Sequence, residues 1–216
     1  MGLSKEKITI IPNGVDERKF EKRRDFVNKN GKLKILCVAQ FHRNKNFETV
    51  IQIVRILSTK FDLEAYIIGG RADEAYLNEI SQSVKNNRLE KIIKLGVSID
   101  DAALADCFLS CDLFLFLSRV ETFPLVILEA MFTGLPIVTS NVGAIGDVVK
   151  NGINGFLVSP DDVQKIRDYV SLLLEDSSLR KEIGARNRQV AKSYTWSKVA
   201  IQTDSLYRKL IEEKKN

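Results

Sequence analysis

The feature that most limits what this chain can fold into is a regular alternation of two kinds of segment. Short apolar runs recur at KILCVA (34–39), LEAYIIGG (63–70), KIIKLG (91–96), DLFLFLS (112–118), LPIVTS (135–140) and GFLVSP (155–160). Between them lie longer stretches whose apolar residues return at helical spacing, as in FETVIQIVRILSTKF with Phe47, Val50, Ile51, Val54 and Leu57. EAYLNEISQSVKNN and DDAALADCFLSC read as further helices, and PLVILEAMFTG (124–134) starts with a proline and stops at Gly134 with Pro136 just beyond. Asp161 or Asp162 is expected to cap a helix over 163–175, and an amphipathic stretch is expected from Ser178 to the end. Strands alternating with helices of this length predict βαβ units: an α/β fold with a parallel, Rossmann-like sheet covered by helices on both faces. DLFLFLS, apolar on both faces, predicts a central strand.

Ligands of such sheets bind beyond the carboxyl ends of the strands, so the informative loops are 39–46, 69–72, 96–100, 118–124 and 140–147. The expected division is an arm over 1–30, a Rossmann-like domain over 31–192 and a terminal helix over 193–216. The net charge of +5 comes from 33 Lys and Arg against 28 Asp and Glu spread along the chain. The basic residues lack interleaved aromatics, which argues against nucleic acid as a partner. Cys37, Cys107 and Cys111 sit in or beside apolar segments, and the single histidine, His42, leaves no Cys/His zinc pattern. They are read as buried, inert thiols of a reducing compartment. No apolar run approaches the roughly 20 residues that span a bilayer.

The chemistry concentrates in SRVETFPLVILEAMFTGLPIVTS, where Glu121 and Glu129 enclose seven residues across a strand-to-helix turn. Glu121 is expected in the loop and Glu129 on the helix, on the face of Leu125 and Leu128. A carboxylate among apolar residues is costly unless its lone pairs are filled. Ribose hydroxyls, offered as a vicinal pair, are suitable donors. The amides of Phe123, Leu125 and Val126, at the start of the helix, form an anion site for a diphosphate. Pro124 has no N–H, so one donor is missing. Two plainer readings stand beside this one: Glu121 as a solvated loop acid, and Glu129 as the partner of a Lys or Arg.

ETFPLVILEAM followed by GLPIV resembles the E-x7-E signature of the retaining family 4 glycosyltransferases of GT-B fold. Three further segments, in order, resemble that family: IIPNGVD (10–16) its interdomain linker, VGAIGDVVKNGINGFLVSPDD (142–162) the stretch after the signature, and SYTWSKVA (193–200) the start of its last helix. The resemblance implies the donor-binding half of such an enzyme. Glu121 would contact hydroxyls of the donor sugar, Glu129 the ribose, and the backbone from Phe123 through Leu125 to Val126 the diphosphate. AQFHRNKN resembles the family's phosphate-binding loop, with Lys45 as its lysine and Gln40 where arginine is common; His42 or Arg43 is a candidate to compensate, and a plain solvated-loop role for both is the alternative. Gly96 and Val97 would edge the nucleobase. Ala144 and Asp147 depart from a common glycine and glutamate.

The implied reaction transfers a sugar from a UDP- or GDP-sugar to an acceptor hydroxyl with retention, without a metal or other cofactor. The acceptor, a glycan or lipid-linked saccharide, would be held by an N-terminal domain of which nine residues at most precede IIPNGVD. Alone, the chain is therefore expected to bind nucleotide and transfer sugar poorly. A cytoplasmic setting is expected, with peripheral association of the full enzyme at the inner face of a membrane. The alternatives are another GT-B enzyme, such as an epimerase or phosphorylase, and a nucleotide-sugar-binding or interaction module without transferase activity.

Overall fold

The computed structural model describes residues 8–20, 31–70 and 73–214. The reading of the extreme N-terminus, much of the arm, part of the 69–72 loop and the last two residues of the tail lie outside these residues. Six strands form one parallel sheet: β1 Leu33–Val38, β2 Leu63–Gly69, β3 Ile93–Val97, β4 Leu113–Phe116, β5 Ile137–Ser140 and β6 Phe156–Val158. Their order is β3-β2-β1-β4-β5-β6. The helices are α1 Phe47–Leu57, α2 Glu74–Asn86, α3 Asp101–Ser110, α4 Leu125–Thr133, α5 Ile145–Val148, α6 Val163–Glu175, α7 Ser177–Ala191 and α8 Trp196–Glu213.

The strand side chains alternate between two cores, as the pleat requires. Ile35, Cys37, Leu113, Leu115 and Val138 face α1, α2 and α6. Leu36, Val38, Phe114, Phe116 and Ile137 face α3 and α4. All four residues of β4 are buried, as expected for a strand covered on both faces. Chain order reverses between β1 and β4: β1 is followed outward by β2 and β3, and β4 by β5 and β6. The helices that follow these two neighbours, α1 and α4, lie on opposite faces of the sheet, which leaves a crevice at the carboxyl ends of β1 and β4.

Helix boundaries follow local chemistry. Asp162 caps α6 by accepting from the amide of Lys165, and α4 stops at Gly134 in the left-handed conformation (φ 82°). The amphipathic stretch expected from Ser178 onward is divided between α7 and α8. Val15 donates to the carbonyl of Tyr194 at 2.7 Å and the Val15 carbonyl accepts from Trp196 at 3.3 Å, while Thr195 caps α8. These bonds hold the intervening residues out of a helix. Gly14 is required beside them, because a Cβ there would meet the Trp196 amide nitrogen at 2.5 Å. Phe20 is buried too, edge-on to Phe108 and tilted against Phe132, so residues 15–20 contribute to the packing of α3 and α4. Helix α8 has no buried residue. No described helix is long and apolar enough to cross a membrane.

Candidate functional site

The crevice between β1 and β4 holds a cavity of about 310 Å³, walled by Gln40, Lys45, Glu121, Phe123, Leu125 and Val126 among others. Three elements bring these residues together. After β1 the chain makes a short 3-10 turn at Arg43–Lys45, capped by His42, which accepts from the Asn44 amide. Asn46 ends the turn in the left-handed region (φ 57°), fully buried. Its side chain donates to the Pro160 carbonyl at 2.8 Å and accepts from the Thr49 hydroxyl at 2.8 Å. The Asn44 carbonyl in turn accepts from the Arg119 amide at 2.7 Å and from Ser118 Oγ at 3.2 Å, stitching the loop after β1 to the loop after β4.

That stitching places Lys45 against Glu121. Lys45 Nζ lies 2.5 Å from Glu121 Oε1, and the side chains are only 16% and 11% exposed. A third loop supports the pair from behind: the Ala144 amide donates to the Thr122 carbonyl at 2.9 Å. Gly143 there adopts φ 56°, close against the backbone of Glu121 and Thr122.

Helix α4 starts at the cavity wall. Its N-cap is Pro124, which supplies no side-chain hydrogen bond, whereas aspartates or threonine cap α2, α3, α6, α7 and α8. The first amides of α4, at Leu125 and Val126, thus have no side-chain cap, and the positive end of the helix dipole lies at the cavity that Lys45 and Glu121 also line. A lysine, a carboxylate and an uncapped helix start line one cavity, an arrangement whose chemistry suits a polyanion that also carries hydroxyl groups.

Other expected residues lie elsewhere. Glu129, one turn along α4, lines an adjacent small cleft with Lys19 and Asp101 rather than the wall of the main cavity. Lys19 Nζ stands 3.9 Å from its carboxylate. Burial pushes the Glu129 carboxyl above its ordinary range, and Lys19 opposes the shift in part. Gly96 and Val97 lie at the carboxyl end of β3, two strands from β1, and Val97 is exposed. Neither residue proposed to replace the missing arginine points into the cavity. Arg43 is bonded to Glu79 at 2.5 Å and lies over the Tyr76 ring, and His42 is occupied as a cap. Gln40 does line the cavity. So does Asn13 of the IIPNG segment, which was quoted as part of a linker but not as a site residue. Only the proximity of that segment to the carboxyl edge in the fold identifies it.

Burial favours the neutral thiol at all three cysteines: it holds that of Cys37 up at about 12, and raises those of Cys107 and Cys111 as well. Among the described residues no group of three His, Cys, Asp or Glu side chains is placed to hold a metal.

The comparisons with known proteins agree with this architecture. The chain is 28% identical over 217 residues to N-acetyl-alpha-D-glucosaminyl L-malate synthase of Bacillus anthracis, covering 97% of this chain and 55% of that protein. The C-terminal domain of a group 1 glycosyl transferase, LpcC, from Francisella tularensis superposes with a TM-score of 0.74 at 26% identity, over 85% of this chain and all of that one. HepE of Anabaena, solved in complex with UDP-glucose, shares the fold with a TM-score of 0.83 at 22% identity, over 93% of this chain and 57% of that one. The chain thus spans about half the length of the curated relatives it matches. With the family model for glycosyl transferases group 1 matched by residues 18–190, on a Rossmann-like sheet of the GT-B type, this chain belongs to that family and corresponds to the C-terminal half of its members.

Proposed function

We propose that the chain is the donor-binding half of a retaining glycosyltransferase and that the β1/β4 crevice takes a nucleoside-diphosphate sugar. The observation that carries this reading is the pairing of Lys45 with Glu121 beside the uncapped start of α4. Lys45 and the amides of Leu125 and Val126 would face the diphosphate, and Glu121 the hydroxyls of the donor sugar. Phe123 and Gln40 would close the wall around them. Glu129 would reach the ribose from the neighbouring cleft, where Lys19 now compensates it in part, and the backbone at Gly96 and Val97 would border the base. The UDP-glucose complex of HepE, a protein of the same fold, supports the ligand class.

In this reading the catalytic contribution is electrostatic. Charge develops on the leaving diphosphate, and preformed donors in a partly dehydrated site stabilise that charge more than the ground state. Lys45 and the α4 dipole take the part a metal would otherwise play. Acceptor binding is assigned to a further domain, since the curated relatives are about twice as long. The exposed apolar residues of α8, among them Trp196 and Leu210, are assigned to packing against it. The acceptor is read as a glycan or lipid-linked saccharide, used on the cytoplasmic side.

Calorimetric titration of the chain with UDP, GDP and ADP, and with their sugar conjugates, tests the reading. Binding of at least one series, lost on Lys45→Ala, is expected. A folded chain that binds none overturns it. With an acceptor domain present, transfer with retained anomeric configuration is expected, and Glu121→Ala should abolish it.

A further inference from the structure

We infer that the Lys45–Glu121 ion pair is a selectivity latch, which sets the site against a bare nucleoside diphosphate and admits it when a sugar is attached. The inference rests on the reading above and adds a second task for Glu121, directed at the nucleotide rather than at the sugar alone. Three observations carry it.

The pair is short and largely removed from water, at 2.5 Å with both side chains less than one fifth exposed. Glu121 has no other side-chain partner among the described residues. The backbone on both sides is also fixed. Asn44 is bonded to Arg119 and Ser118, Lys45 donates to the His42 carbonyl at 2.9 Å, and Ser140 Oγ holds the Ser118 carbonyl at 2.5 Å. Gly143 packs behind the Glu121 backbone, so the loops that carry the two charges are tied together. Any adjustment to a ligand must come from the side chains, chiefly the long stem of Lys45.

A diphosphate entering without a sugar therefore meets a cation that is already compensated. If Lys45 swings to the phosphate, Glu121 is left as a nearly buried carboxylate without a partner, which is costly. If the ammonium, with three donors, keeps Glu121 and adds the phosphate, the carboxylate remains close to a second anion and repels it. Both routes have the same sign. Sugar hydroxyls change the outcome, because they donate to Glu121 as Lys45 turns to the phosphate. After transfer, loss of the sugar returns Glu121 to Lys45 and favours departure of the diphosphate.

The test compares UDP with UDP-glucose, GDP with GDP-mannose, and ADP with ADP-glucose on wild-type chain and on Glu121→Gln, which keeps the shape and removes the charge. Wild type should bind the sugar conjugate more tightly than the bare diphosphate in the series it accepts. Glu121→Gln should bind the bare diphosphate about tenfold more tightly, as expected for removing one nearby like charge, and should lose the preference for the conjugate. Unchanged or weaker diphosphate binding by a variant with native circular dichroism overturns the latch. So does a wild-type chain that binds the bare diphosphate as tightly as the conjugate, a measurement that needs no variant to fold. Failure of every nucleotide to bind wild type overturns the donor-site reading itself, and the latch with it.

Discussion

Gly143 lies directly against Glu121: a Cβ added to Gly143 would stand 2.2 Å from the Glu121 carbonyl oxygen and 2.8 Å from that of Thr122. Its φ of 56° is also one that side chains resist. Gly143→Ala should thus push the loop after β4 out of place, as well as strain its own turn. The expected result is a loss of about 1–3 kcal/mol in stability from strain and overpacking, together with at least tenfold weaker nucleotide binding. Gly152 supplies the control. It too has positive φ (73°), but nothing lies within 4 Å of its would-be Cβ. Gly152→Ala should cost stability alone and leave binding intact. Equal binding by both variants would show that Gly143 has no part in positioning Glu121.

Asn46 governs the opposite side of the pair. It is buried, left-handed, and bonded through its side chain to Pro160 and Thr49. Asn46→Ala strains the backbone and leaves the Pro160 carbonyl and the Thr49 hydroxyl without partners, which should cost about 2–4 kcal/mol. Asn46→Gly relieves the strain but not the lost bonds, so it should fall between Ala and wild type. Denaturant midpoints with an unchanged m-value would check the order. A glycine variant as stable as wild type would assign the whole effect to backbone conformation.

Glu129 predicts a pH signature. Burial raises its folded-state pKa above the ordinary carboxylate range, so between the unfolded and folded values the folded chain holds the proton that the unfolded chain has released. Stability therefore falls as pH rises through that window. Glu129→Gln removes the penalty. It should melt higher than wild type at pH 7, with the gap closing as the pH is lowered toward 4. A carboxylate kept at such a cost is consistent with the ligand-binding role proposed for Glu129. A lower melting temperature for Glu129→Gln at pH 7 would mean that the attraction of Lys19 outweighs desolvation, and would favour the plainer reading of Glu129 as an ion-pair partner.

The elements were legible because each is coded locally. Period and apolar content marked β4, Asp162 marked the start of α6, and Gly134 the end of α4. The contact between Lys45 and Glu121 was not legible, although both residues were singled out. They are 76 residues apart, and their meeting depends on β1 lying next to β4, a strand order that no local pattern states. The same reason explains Arg43. Its place in the loop suggested the cavity, while its side chain crosses to Glu79 on α2. Gly143 and Asn13 escaped notice as site residues because their roles arise only where loops from different strands converge.

The ion pair itself gives the last prediction, since its two members should be coupled in stability and separable in function. Lys45→Met keeps the apolar stem but leaves Glu121 only 11% exposed and without its cation. Breaking a buried pair from one side costs about 3–5 kcal/mol in general, and with the residual exposure here a loss of about 2 kcal/mol is expected. Adding Glu121→Gln removes the stranded charge, so the double variant should recover most of the stability. A double-mutant cycle by chemical denaturation measures this coupling. Binding should behave differently. Both Lys45→Met and the double variant lack the cation proposed for the diphosphate, so neither should regain nucleotide affinity, and transfer by a complete enzyme carrying either should drop about 100-fold or more. In the proposed site Lys45 and the start of α4 supply the positive charge, so chelation with EDTA should leave wild-type nucleotide binding unchanged. Affinity that collapses in EDTA and returns with magnesium would transfer that task from Lys45 to a metal and leave the lysine as the structural partner of Glu121.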